Sequence, residues 1–109
     1  IRSQELEQLL LQVGRGDREA FARLYGLTRG AVYALALSLL RDAHEAQDVA
    51  QDAFVQVWER APSYRPQGSP MAWLLTVARN LARTRPLSAL SRPPPGQAFL
   101  LGLSLFAIQ

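Results

Sequence analysis

Three carboxylates, Glu45, Asp48 and Asp52, stand at i, i+3 and i+7, a spacing that gathers them on one side of a helix. A row of this kind is a candidate for divalent-metal chemistry. The di-metal pattern of helical bundles, however, needs Glu-x-x-His pairs on facing helices, and the single histidine, His44, stands immediately before Glu45. No metal and no other cofactor is expected. The chain has no cysteine, which removes disulfides and thiolate ligands and fits a cytoplasmic protein. Its serines have no second histidine to activate them, and no nucleophile elbow, glycine-rich phosphate loop or zinc-protease helix occurs. The expected protein is not an enzyme.

Two other groups of residues carry a chemical signal. One is the set Asp48, Gln51, Asp52, Gln56 and Glu59, acids and amides on the outward side of a single amphipathic stretch, with no arginine or lysine between Asp42 and Glu59. A solvated helix face usually mixes both signs, so a one-signed face points to a basic protein partner. The other set begins in a proline-rich segment with Tyr64, Arg65 and Ser69 and continues through Trp73, Arg79, Asn80 and Arg83. Arginines hold a phosphate backbone, aromatic and amide side chains can stack on or read an unstacked base, and Gly68 lets a backbone approach. Such a surface suits single-stranded or melted nucleic acid. The charge distribution separates the two sets. Residues 1–59 hold six arginines and nine acids, a balance of −3, whereas residues 60–109 hold six arginines and no acid, a balance of +6, together giving the net +3. The acid-free half is the one expected to meet phosphates.

The elements that must position these groups follow from periodicity. With 109 residues, 49% of them hydrophobic, the chain is expected to fold as one modest domain. Ala46, Val49, Ala50, Ala53, Phe54, Val57, Trp58 and Ala61 recur at helical spacing. Asp42 is the expected N-cap, and Glu45 three positions on completes a capping box, so this helix begins near Ala43. Upstream, Ser3 is expected to cap a short helix with Leu6, Leu9, Leu10 and Val13 on one face, closed by Gly14 and Gly16 and lying as a lid on the core. Asp17 caps a long helix from about Arg18 to Leu40, whose stripe runs from Phe21 through Leu24, Tyr25, Thr28, Val32, Leu35, Ala36 and Leu39 to Leu40. Gly26 and Gly30 weaken it, and an interruption with Thr28 as a new cap is one expectation. The turn Arg41-Asp42 enforces an antiparallel reversal. PSYRPQGSP forms a loop, and Ser69 with Pro70 starts a last helix that ends near Arg85, before Pro86. No strand pattern appears. The fold class is all-α, a small bundle of about four helices over residues 1–85.

Three segments, in order and at spacing, carry a resemblance: GDREAFARLY (Gly16 to Tyr25), the stretch Asp48-Val49-x-Gln51-x-x-Phe54-x-x-x-Trp58, and AWLLTVARNLA (Ala72 to Ala82). Together they resemble region 2 of bacterial sigma factors of the extracytoplasmic-function group, over about Leu6 to Arg85. The resemblance implies transcription initiation: the acidic helix would dock on the clamp-helix coiled coil of the RNA polymerase core β′ subunit. Residues 63–69 and 72–83 would recognise and help melt the −10 promoter element on the non-template strand. The chain departs from the usual pattern at Gln47, where the family carries Glu, and at Thr84 and Leu87, where it carries Asp and Arg. The family's following helix-turn-helix domain, which reads the −35 element, is not evident here.

Residues 86–109 read as a separate segment. Ser91 to Gly96, SRPPPG, is an extended linker, and Gln97 to Gln109 is an apolar tail without charge, about half a membrane span. The tail is expected to dock on the bundle or on a neighbouring molecule. The start, IRSQELEQ, lacks the pattern of a signal peptide. A rival reading assigns the chain as a helical interaction module that binds an anti-sigma factor or self-associates through its tail, with no DNA surface.

Overall fold

The computed structural model describes residues 2–84. Its elements are α1 (Ser3–Gly14), α2 (Arg18–Leu40), α3 (Ala43–Arg60), a 3-10 turn (Ala61–Ser63) and α4 (Pro70–Thr84), with no strand among the described residues. The all-α bundle expected from periodicity is the fold found. The linker and tail, residues 86–109, lie outside the described residues.

α3 packs against every other element, α2 most extensively. Its buried side chains are Ala46, Val49, Ala53, Phe54 and Val57, the inner part of the stripe expected from the sequence, with Ala50 and Trp58 half-buried at its edges. Each large member contributes about 1.5–3 kcal/mol by leaving water. Aromatic edges join α3 to α2: Phe21 meets Phe54 at 6.4 Å and Trp58 at 5.3 Å between ring centroids, and Tyr25 meets Phe54 at 4.9 Å. T-shaped pairs of this kind add about 0.5–1.5 kcal/mol each beyond area burial. α4 completes the core with Leu74, Val77 and Ala78, and Ala82 joins a smaller cluster with Ala36, Ala46 and Val49.

The caps decide the element boundaries. Asp17 Oδ1 accepts from Ala20 N at 3.0 Å, and Asp42 Oδ1 from Glu45 N at 3.0 Å, so both expected acidic caps are formed. Ser69 Oγ accepts from Ala72 N at 3.2 Å, with Pro70 as the first helical residue. At the end of α1, Gly16 adopts φ +89° and its N–H reaches Val13 O at 2.9 Å, while Asp17 N reaches Gln12 O at 3.1 Å. That pair of bonds is a Schellman closure, and its left-handed position explains the glycine.

Three expectations are corrected. Ser3 is not a cap: it is the first residue of α1, Arg2 occupies the cap position, and no side-chain bond closes that end. The apolar face expected for α1 is buried on the core, with Leu6, Leu10 and Val13 at most 2% exposed. α2 is not interrupted. Thr28 is fully buried and donates to Leu24 O at 2.7 Å, as a mid-helix threonine does when its hydroxyl has no other acceptor. Gly26 and Gly30 face open space, so burial of Leu24, Thr28 and Val32 outweighs a propensity cost of about 1 kcal/mol per glycine. Leu39 is 45% exposed although it continues the stripe, whereas Leu40 beside it is half-buried against the smaller cluster.

Candidate nucleic-acid interface and acidic face

The acidic set is carried by the side of α3 away from its buried stripe. Only Glu59 is fully exposed; Asp48, Gln51, Asp52 and Gln56 are half-buried. They form a ledge on the bundle instead of a freely projecting face, and their positions are therefore fixed by packing. Gln51 has its Oε1 buried without a hydrogen-bond partner. It is also one wall of a groove of about 410 Å³ between α2 and α3, with Tyr25, Arg29, Gly30, Tyr33, Gln47, Ala50 and Phe54 as the rest of the lining. Arg29 lies over the Tyr25 ring at 5.9 Å. Sequence reasoning misses this groove. In the sequence Tyr25 belongs to the core stripe and Gly30 is a weak point of the helix, and only the packing of α2 on α3 brings them beside Gln47 and Gln51.

The second set occupies the loop and α4. Within α4, Trp73, Asn80 and Arg83 recur at i, i+7 and i+10, which puts them on one strip, and Arg79 flanks it. Arg79, Asn80 and Arg83 are exposed, while Trp73 is half-buried and packs against the core. Thr76, which the sequence alone does not single out, lies on the same strip, exposed, with its hydroxyl on Ala72 O at 2.7 Å. Opposite them Leu74, Val77, Ala78 and Ala82 are buried, so α4 cannot rotate without losing its core face. Arg65 and Ser69 are exposed in the loop, where Gly68 takes φ +83°.

Tyr64 sits differently from the rest of its set. It is 7% exposed and part of the core, with its ring edge on Trp73 at 5.1 Å and 70°. Burial raises its phenol pKa first of all, and the Glu7 carboxylate adds to the shift. Its position is set from α1. The 3-10 turn that delivers Tyr64, closed by Tyr64 N on Ala61 O at 3.0 Å, packs on Gly14, where a Cβ would come within 2.8 Å of Ala61 O.

Among the described residues no group of three or more His, Asp or Glu side chains could hold a metal ion, and no helix is long and apolar enough to cross a membrane. The described residues present two chemically distinct surfaces on one frame: a carboxylate and amide ledge on α3, and an arginine, amide and aromatic strip on α4 with its loop. α3 and α4 pack directly on each other. The surfaces are therefore held at a fixed mutual orientation.

Residues 24–86 match the family described as Sigma-70 region 2. Among curated proteins, the chain is 48% identical over 82 residues to the ECF RNA polymerase sigma factor SigK of Mycobacterium sp. strain KMS, covering 74% of this chain and 42% of that protein. It is 44% identical over 85 residues to SigK of Mycobacterium ulcerans strain Agy99, covering 77% and 46%. With SigK of Mycobacterium tuberculosis strain H37Ra the identity is 37% over 84 residues, covering 76% and 45%. The chain thus spans less than half the length of the curated relatives it matches. No solved structure matches it.

Proposed function

Since this chain belongs to the sigma-70 region 2 family, we propose that it binds RNA polymerase core and recognises and helps melt the −10 promoter element in transcription initiation, in the cytoplasm and without catalysis of its own. The observation that carries this reading is the segregation of charge onto two surfaces of one frame. Asp48, Gln51, Asp52, Gln56 and Glu59 on α3 meet the polymerase, on the clamp helices of β′. Their half-burial favours binding, because partly ordered side chains lose less rotamer freedom on association.

On the other surface, Arg79 and Arg83 hold the phosphate backbone of the non-template strand, while Trp73 and Asn80 take unstacked bases. Arg65 and Ser69 contact the strand from the loop. Tyr64 contributes through Trp73, as the buried edge against which that indole is held. Contacts with phosphates are dominated by counterion release, so binding by this chain alone is weak and falls steeply with salt. Core polymerase supplies the remaining affinity.

The test is equilibrium binding of a fluorescently labelled single-stranded −10 oligonucleotide to polymerase core, with and without the chain. The chain is expected to raise the affinity over core alone. No enhancement at any salt concentration would remove the proposal and leave a protein-interaction module, with an anti-sigma factor as its partner, as the better reading.

A further inference from the structure

Four residues of the α4 strip surround a fifth. Thr76 stands three positions after Trp73, three before Arg79, four before Asn80 and seven before Arg83, so each is its neighbour within one or two turns on the same side of the helix. At about 100° per residue, Trp73 and Asn80 fall on one flank of Thr76, and Arg79 and Arg83 on the other. Thr76 is itself exposed. A single strand whose phosphates lie on the two arginines and whose bases turn toward Trp73 and Asn80 therefore crosses Thr76. We infer that Thr76 reads base identity, by accepting a hydrogen bond from the exocyclic amino group of an adenine or a cytosine. The inference rests on the promoter reading of α4 proposed above.

The acceptor role follows from a local hydrogen bond. Thr76 Oγ1 donates to Ala72 O at 2.7 Å, the bond that a helical threonine makes to the carbonyl four residues back. With its one proton committed to the helix, the hydroxyl offers the outside only lone pairs, with the γ-methyl beside them. Donation to the carbonyl also strengthens the oxygen as an acceptor. A base with an amino group at purine C6 or pyrimidine C4 supplies the matching donor. Guanine and thymine carry a carbonyl there and set two acceptors against each other.

The neighbours cannot make this choice for Thr76. Asn80 presents both a donor and an acceptor and can turn either toward a base, while Arg79 and Arg83 hold phosphates, which carry no base identity. Thr76 is thus a one-sided reader at the line where the phosphate flank of the strip meets its base flank.

The experiment is core-dependent binding of −10 oligonucleotides in which adenines are replaced one at a time by purine, which lacks the amino group, and cytosines one at a time by 2-pyrimidinone, which lacks it too. With the wild-type chain, loss of the amino group at one position should weaken binding about two- to tenfold, the usual worth of one hydrogen bond. The series in which that position falls tells adenine from cytosine. Thr76→Val keeps the shape and removes the acceptor, so it should bind the intact and the substituted oligonucleotide alike at that position. Thr76→Ser, which keeps the hydroxyl, should retain the preference. Both variants change an exposed side chain, and circular dichroism checks that they fold. Three results overturn the inference: no position at which the amino group matters, an amino-group dependence that Thr76→Val leaves intact, or a Thr76→Val loss equal for every oligonucleotide, which makes Thr76 a backbone contact. If the wild-type chain raises the affinity of core for no oligonucleotide, the promoter reading fails and takes this inference with it, an outcome distinct from the other three.

Discussion

Replacing glycine by alanine at three helical positions should give stability changes of opposite sign. Gly26 and Gly30 lie in the middle of α2 with open space where a Cβ would go. Each substitution there gains about 0.5–1 kcal/mol of helix propensity, or roughly 2–8 °C in Tm for a bundle of this size. Gly14 is different. A Cβ on it would stand 2.8 Å from Ala61 O, 3.1 Å from Ala61 C and 3.3 Å from Pro62 Cα, all backbone atoms that no rotamer change can move. Overpacking of this kind costs about 1–3 kcal/mol, which outweighs a propensity gain of at most about 1 kcal/mol at the end of α1. Gly14→Ala should therefore lower Tm while Gly26→Ala and Gly30→Ala raise it, by thermal melts followed with circular dichroism. The displaced turn carries Tyr64, so the same variant should also weaken oligonucleotide binding in the presence of core. A Gly14→Ala protein that melts as high as Gly30→Ala would refute the close approach of α1 to the 3-10 turn, and with it the route by which α1 sets the loop.

Trp73→Ala should weaken core-dependent binding of −10 DNA by about 1–3 kcal/mol, the usual worth of one stacked base, whereas Tyr64→Phe, which keeps the supporting ring, should leave it nearly unchanged; fluorescence anisotropy separates the two. Removing Arg79 and Arg83 together should lower the slope of log affinity against log salt by about 0.7 for each single-strand phosphate no longer neutralised, read from titrations at several salt concentrations. Glu5 on α1 accepts from Arg23 on α2 at 2.8 Å, and that guanidinium holds the Glu5 carboxyl below its ordinary value. A carboxyl depressed in the folded state contributes stability present above its unfolded pKa and lost as pH falls through the folded one. The pair is exposed and so its effect is small. Arg23→Leu should lower the neutral-pH Tm slightly and leave the acid-pH Tm unchanged, so that the shallow acid-side decline disappears in thermal melts across pH.

Where helix boundaries rest on local chemistry, the sequence makes them legible. Asp17, Asp42 and Ser69-Pro70 supply acceptors or a fixed φ within one turn of the chain, and the stripe of α3 reports a single buried side. Legibility fails where the deciding neighbour is distant in sequence. Thr28 resembles a cap because Gly26 and Gly30 flank it, but its burial between α2 and the rest of the bundle is a tertiary fact. Gly14 resembles a terminator, while its lack of a Cβ answers to Ala61, forty-seven positions on. Tyr64 reads as a base contact because tyrosine in a proline-rich loop is usually exposed; its burial against Trp73 follows from where α1 places the turn. The groove has no sequence signature at all, since its lining alternates between residues that two helices each use for other purposes.

Polymerase-core affinity and core-dependent DNA affinity, measured on two double variants, test the separation of surfaces most directly. Asp48→Arg with Asp52→Arg should lower affinity for core at unchanged helicity, and DNA binding should fall with it only because core is not recruited. Arg79→Ala with Arg83→Ala should keep full core affinity and lose the DNA enhancement. If reversing the two aspartates leaves core affinity intact, or if removing the two arginines weakens core binding as much as DNA binding, the assignment of α3 to polymerase and α4 to promoter is wrong.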